Sequence, residues 1–307
     1  MDIYAYFGIL CACCSILATA VAILSVLLKR SKDKTRKALV AEELAGSSDD
    51  GLALLEDIER GLKNGEFKMY LQFIVENKTA RIVSAEALSR WEKPDGEIVF
   101  PGKFIPTMEK AGIITKLDYY MFEKACKKLD EWNDSTFSEI SISCNFTRST
   151  ISEPDFKEKL KAITNRYSFD HSKLIIEITE DSIEKNLEIA IKNILWAKEL
   201  GFGIALDDIG SGYTSLVNLC EYPIDVVKID RKILLMTNGA RGKKLFLGII
   251  SLAHYLNLKV VCEGVETEEQ NSLVFDSVCD FIQGWFYSQG LAEGDAEAFA
   301  LEYINKI

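Results

Sequence analysis

The chain has 307 residues, enough for one large domain, and its 48% hydrophobic and 27% charged residues suit a folded core rather than disorder. A formal net charge of −11 excludes a broad face for nucleic-acid polymers, which need a basic surface; a smaller phosphate ligand remains compatible if cations lie between it and the protein. Eight cysteines without a C-x-x-C pair, and only two histidines (His171 and His254), argue against a zinc framework and for reduced thiols in a cytosolic domain.

Taken in chain order, the first feature is an uncharged run from Ile3 to Leu28. About 20 apolar residues suffice for a helix to cross a bilayer. Six basic residues follow within Lys29–Lys37, with Asp33 the one acid among them. A secretory signal has its basic residues in front and a shorter apolar core. The positive-inside rule therefore predicts a single-pass anchor over residues 1–28, with everything after Lys29 in the cytoplasm. Residues 29–50 read as a basic juxtamembrane linker, ending in the small polar Gly46-Ser47-Ser48-Asp49-Asp50.

Residues 51–307 read as one domain. Leu52, Leu54, Leu55, Ile58 and Leu62 share one face of a helix. Phe67–Ile74 and Ile82–Leu88 look like neighbouring strands parted by a turn at Glu76-Asn77-Lys78. Helix Lys116–Trp132, strand Ile140–Phe146, helix Asp155–Tyr167 and strand Leu174–Ile178 follow. Asp181–Leu200 reads as a helix stopped by Gly201. Strands Ile204–Leu206, Val226–Ile229, Lys259–Cys262 and Phe281-Ile282 then alternate with helices Lys243–Leu256, Glu268–Phe275 and Asp295–Ile304. Repeated strand-then-helix units predict an α/β fold, a (β/α)8 TIM-like barrel whose site forms at the carboxyl ends of its strands.

The polar residues fit that rule. Glu86, Asn145, Glu177, Asp207-Asp208, Lys228, Asp230, Glu263 and Gln283 each end or follow an expected strand. Nearly every strand thus delivers an acidic or amide oxygen to one rim. Hard ions such as Mg²⁺ and Mn²⁺ prefer such ligands.

Ordered motifs carry a resemblance. EALSRW spans Glu86–Trp91, PGKFIP spans Pro101–Pro106, and SCNF holds Asn145. EITE covers Glu177–Glu180, DDIGSGYTSL Asp207–Leu216, and VKID Val227–Asp230. EGVET covers Glu263–Thr267, and QGWFYSQGL Gln283–Leu291. From about Gly51 to Ile307 the chain resembles the EAL-domain cyclic di-GMP phosphodiesterases. The resemblance implies hydrolysis of cyclic di-GMP to linear pGpG with two Mg²⁺ or Mn²⁺ ions per site, in a homodimer. It implies Glu86, Asn145, Glu177 and Asp207 as ligands of one metal, with Asp208 and Asp230 contributing to a second. Glu263 matches the carboxylate that acts as general base or holds the catalytic water, and Lys228 the lysine at that water and the scissile phosphate. Arg90 matches an arginine that grips a substrate phosphate, with Gln72 and Leu88 also on the substrate side. Glu180, Glu266 and Gln283 match supporting residues, Glu180 holding the loop after Asp208.

Singly, each residue has a plainer reading: Asp207-Asp208 as helix caps, Lys228 as a surface lysine, Arg90 in an ion pair, Asn145 in a turn, Glu263 and Glu266 on a solvated face. The chain departs from the family pattern at Phe73, Ile209, Trp285 and Gly290, none of them an implied ligand. No GG[DE]EF motif of a cyclic di-GMP synthase occurs. The alternative reading is a membrane receptor that binds the dinucleotide without cutting it and signals through protein contacts.

Overall fold

A computed structural model of the chain describes residues 49–179, 187–210 and 218–306. The expected anchor and nearly all of its basic linker lie outside the described residues, as do Glu180 and residues 211–217. None of the described helices is long and apolar enough to cross a membrane.

Helix α1 (Asp49–Asn64) leads into the hairpin β1 (Phe67–Glu76) and β2 (Ile82–Glu92), followed by the short β3 (Ile98–Val99). Helices α2 (Pro101–Ala111) and α3 (Ile114–Trp132) precede β4 (Ser141–Asn145). The chain then runs through α4 (Arg148–Ile151), α5 (Phe156–Thr164), β5 (Leu174–Thr179), α6 (Leu187–Glu199) and β6 (Gly203–Ile209). It continues with α7 (Asn218–Glu221), β7 (Val226–Ile229), α8 (Arg231–Leu235), α9 (Ala240–Tyr255) and β8 (Lys259–Cys262). Helix α10 (Glu268–Phe275), β9 (Phe281–Gln283), β10 (Leu291–Ala292) and α11 (Glu293–Ile304) complete it.

The strands β2, β4, β5, β6, β7, β8 and β9 pair in parallel, in that order. Strand β1 closes the barrel between β2 and β9 and is antiparallel to both. This corrects the expectation of a uniform strand-then-helix repeat. The link from Glu76 to Ile82 is too short to hold a crossover helix, and parallel neighbours need one. Instead Glu76 and Arg81 close a tight turn through Glu76 N–H to Arg81 O at 2.8 Å, with Ala80 at φ +56°. Reversal of β1 puts its middle residue Gln72 opposite Glu86, and Ile74 opposite Gln283.

One further expectation shifts. Glu86 does not end its strand: β2 runs on to Glu92, outgrowing the barrel with β1 and β3. There Trp91 stacks on Phe67 at 5.5 Å between ring centroids, Phe104 packs edge-on, and Glu66 accepts the indole N–H at 2.9 Å. Helix α1 closes over this cluster with Leu55 and Ile58 buried. The PGKFIP stretch lies on α2, which Pro101 opens at a position whose N–H needs no partner.

Side chains alternate between the two faces of each strand. Ile176, Leu206, Val227 and Val260 are buried on the faces turned to the helices. The opposite positions line the barrel interior, where Ser84, Ser141, Ser143 and Ala205 are small. Barrels of this kind are normally filled by bulky branched residues. Here a cavity of about 430 Å³ lies inside, reaching up to Glu177 and Lys228.

Candidate active site

The same alternation that fills the helix-facing side with Ile and Val sets one polar residue on the upper interior of each strand. Gln72 comes from β1, Glu86 from β2, Asn145 from β4, Glu177 from β5, Asp207 from β6, Lys228 from β7 and Gln283 from β9. Glu263 follows β8 directly. Pairing fixes their heights, with Asn145 beside Glu177 and Gln72 beside Glu86.

Lys228 is the centre of the group and is 1% exposed. Its Nζ lies 3.1 Å from Glu86, 2.9 Å from Glu177, 2.8 Å from Glu263 and 3.6 Å from Asp207. An ammonium has three N–H bonds. They match the three nearest carboxylates, so the plain reading of Lys228 as a surface lysine is excluded. Glu86 is held further by the Asn145 amide at 2.8 Å and the Gln283 amide at 2.7 Å. Gln283 also reaches Gln72 at 3.3 Å, and Gln72 donates to Ser288 O at 3.0 Å.

One lysine faces four carboxylates, and the electrostatics follow. Burial pushes the Glu177 carboxyl up to about 8, with the Glu86 charge adding to the rise. Burial likewise pushes Glu263 up to about 8 against the pull of Lys228. Asp207 and Asp208 are raised, first by burial. Glu86 goes the other way, because Lys228 and two amide donors outweigh its burial. For Lys228 the surrounding carboxylates outweigh burial and raise it well above the usual lysine range. The cluster is short of positive charge.

Asp208 turns outward with φ +63°, a left-handed conformation that aspartate tolerates better than most residues. Its N–H donates to Asp207 at 2.8 Å, which holds the turn. Oxygens of Asp207, Asp208 and Glu263 all lie within 4.8 Å of one another. Asp230 caps α8 through Lys232 N–H at 2.8 Å, and its charge reaches Asp208. Asn145 gives its N–H₂ to Glu86, leaving its carbonyl oxygen for another partner. Gln283 Oε1 is buried without a hydrogen-bond partner among the described residues. An all-oxygen donor set with surplus negative charge fits hard divalent cations.

The other candidates separate from this cluster. Glu266 bonds Arg231 at the rim and makes no bond to Lys228 among the described residues. Arg90 lies farther along β2, over the rings of Phe100 (4.8 Å) and Tyr70 (5.7 Å). Leu88 and Asn145 line a cleft of about 840 Å³ walled by α2 and α3.

Sequence reasoning missed Asp118. This buried carboxylate accepts from Thr147 N–H (2.9 Å), Thr147 Oγ1 (2.7 Å) and Thr150 Oγ1 (2.5 Å), clamping the turn just after Asn145. Burial raises its carboxyl to about 6, against those donors. The signal was available: Asp118 sits four residues after Ile114 and four before Phe122, on the apolar face of α3.

Gly284 fixes the turn after Gln283. A Cβ there would lie 2.1 Å from Val265 O and 2.4 Å from Val265 N. Those atoms already bond Phe286 N–H at 3.0 Å and Gln283 O at 3.2 Å. Gly284→Ala is expected to cost at least about 2 kcal/mol of stability, because backbone cannot yield as a side chain can. Thermal denaturation checks this; a midpoint equal to wild type would show that the turn moves freely.

The chain is 31% identical over 247 residues to the signaling protein YkoW of Bacillus subtilis. It is 29% identical over 268 residues to the cyclic di-GMP phosphodiesterase RocR of Pseudomonas aeruginosa. These alignments cover 80% and 86% of this chain but 31% and 65% of those proteins, so the chain spans about one to two thirds of their lengths. The solved c-di-GMP complex of the PaMucR phosphodiesterase aligns with a TM-score of 0.75 at 28% identity, covering 80% of this chain and 99% of that one. The EAL domain matches residues 55–290, and on that match the chain belongs to the EAL-domain family.

Proposed function

We propose that this chain hydrolyses cyclic di-GMP to linear pGpG with two divalent cations, Mg²⁺ or Mn²⁺. The observation that carries this reading is the buried Lys228 ammonium among Glu86, Glu177, Asp207 and Glu263 on one barrel rim. The ions would be held by Glu86, Asn145, Glu177 and Asp207, with Asp208 and Asp230 toward the second. When bound, they would neutralise phosphoryl charge and acidify a water.

The chain's own residues supply the rest. Glu263 accepts the proton of the attacking water, a task suited to a carboxyl raised toward neutral pH. Lys228 keeps its proton and stabilises charge on the phosphoryl oxygens. Water adds to one phosphorus, its bond to the 3′ oxygen breaks, and that oxygen takes a proton, leaving a 5′-phosphate. Arg90 is assigned a substrate phosphate, and the 840 Å³ cleft beside Leu88 has room for one nucleotide. Gln283 supports the network through Glu86, Glu266 stays with Arg231 at the rim, and Glu180 is assigned the loop after Asp208.

Incubation with cyclic di-GMP and Mg²⁺ or Mn²⁺ is expected to give pGpG, and Glu86→Ala to abolish it. Chromatography of the products checks both. Binding without product would make the chain a receptor instead. We assign the apolar run Ile3–Leu28 to an inner-membrane anchor with the barrel in the cytoplasm, and two copies to the working unit. Recovery of the full chain in the soluble fraction would overturn the first assignment, and a monomeric mass in detergent the second.

A further inference from the structure

The chain has four tryptophans. Trp91, Trp132 and Trp196 are buried, whereas Trp285 is 64% exposed. It sits on the turn after β9, and that turn is pinned. Gly284 lies against the Val265 backbone, Tyr287 N–H and Ser288 N–H both donate to Gly284 O at 3.0 Å, and Gln72 holds Ser288 O. The neighbouring aromatics are used for packing: Phe286 and Tyr287 pack against the core, and Tyr287 donates to Asn271 at 2.8 Å. Trp285 is the ring of this turn left to solvent.

The segment's two ends place it. Gln283 touches Glu86 at 2.7 Å in the carboxylate cluster. Gly290 lies beside Leu88 and Arg90, so closely that an added Cβ would come within 3.4 Å of the guanidinium. Trp285 therefore belongs to a strap running from the hydrolytic centre to the arginine assigned to phosphate. The cleft beside Leu88 takes no lining residue from this strap. A cyclic dinucleotide carries two purines, and one cleft accommodates one of them. The acidic rim offers nothing to a neutral purine face, whereas an indole does, with stacking worth about 1–3 kcal/mol per base.

We propose that Trp285 is the stacking platform for the second guanine base of the dinucleotide. This rests on the cyclic di-GMP reading above. Stacking on a base remote from the reacting phosphorus is the same in ground and transition states, so its loss raises KM and spares kcat.

Because the other three indoles are buried, Trp285 reports on itself. With the full-length chain and Ca²⁺ in place of Mg²⁺ to slow turnover, cyclic di-GMP is expected to quench tryptophan emission and shield it from acrylamide. Trp285→Leu is expected to remove both effects, to raise KM about tenfold and to keep kcat within about twofold. Trp285→Phe, which keeps an aromatic face, is expected to hold KM within about threefold of wild type. Melting curves matching wild type establish that these surface variants fold. A Trp285→Leu enzyme with wild-type KM, or emission unmoved while calorimetry records binding, would overturn the assignment and leave the enzyme reading intact. A wild-type chain that neither binds nor cleaves cyclic di-GMP in calorimetry and chromatography would remove both.

Discussion

Lys228→Met is expected to lower turnover by about 10³-fold while leaving affinity for divalent cations equal or higher. The first half follows from position. The buried ammonium stands between the carboxylates of Glu86, Glu177 and Glu263 at 2.8–3.1 Å, at the place where the proposed reaction brings the phosphoryl group. Removing one preorganised donor to developing negative charge typically costs about 10²–10³ in rate, and here the donor carries a full charge. The second half follows from sign. Methionine occupies similar volume but removes the positive charge that competes with a cation for Glu86, Glu177, Asp207 and Glu263. A lysine that served only to hold the carboxylates in place would predict the opposite, a loss of metal affinity with turnover recovered at high Mn²⁺. Calorimetric titration with Mn²⁺, together with kcat at saturating metal, separates the two. The variant also leaves buried carboxylates without their cation, which ordinarily costs about 3–5 kcal/mol. In this cluster Glu177 and Glu263 can take up protons near neutrality, so the destabilisation should be smaller in mild acid than in mild base.

The rim was legible in the sequence because strand alternation and carboxyl ends obey simple geometry. In Leu174–Thr179 the pattern LIIEIT leaves one position on the interior face that hydrophobic packing does not explain, Glu177. VVKI does the same for Lys228. What the sequence hid depends on partners far away in the chain. Nothing local says that Lys228 meets carboxylates from four other strands, since barrel closure alone brings residues 86 and 263 together. Glu266 looked like another rim carboxylate, but Arg231 at the start of α8 takes it. Asp118 was passed over because a helix was read for its apolar stripe, and a polar residue inside that stripe was not taken as a signal. The reversal of β1 was implicit in the short turn at Glu76–Arg81, whose length forbids a crossover. The exposure of Trp285 follows from Gly284 meeting Val265, a contact between two loops that no spacing announces.

In chelator, the stability of the domain is expected to fall as pH rises from about 5 to about 8, and divalent cations to remove that fall. The sign follows from the two raised carboxyls. Glu177 and Glu263 titrate near 8 in the folded chain and near 4.5 when unfolded. Between those values the folded state holds more protons than the unfolded state, so each rise in pH favours unfolding, by about 1.4 kcal/mol per pH unit for each extra proton. Glu86, lowered in the folded state, works in the opposite direction but is spent once pH exceeds the ordinary glutamate range. Lys228, raised above its usual value, contributes stability throughout this window and loses it only in strong base. A divalent cation competes with the protons for the same oxygens, so its binding strengthens as they leave. At a hundredfold excess over its dissociation constant it stabilises by about 2.7 kcal/mol. The gain in melting temperature on adding Mn²⁺ should therefore be larger at pH 8 than at pH 5.5, and binding should release protons into a weakly buffered solution. A gain that is constant or shrinks with pH would mean that the rim carboxylates are already ionised without metal, and that the surplus of negative charge around Lys228 is balanced some other way.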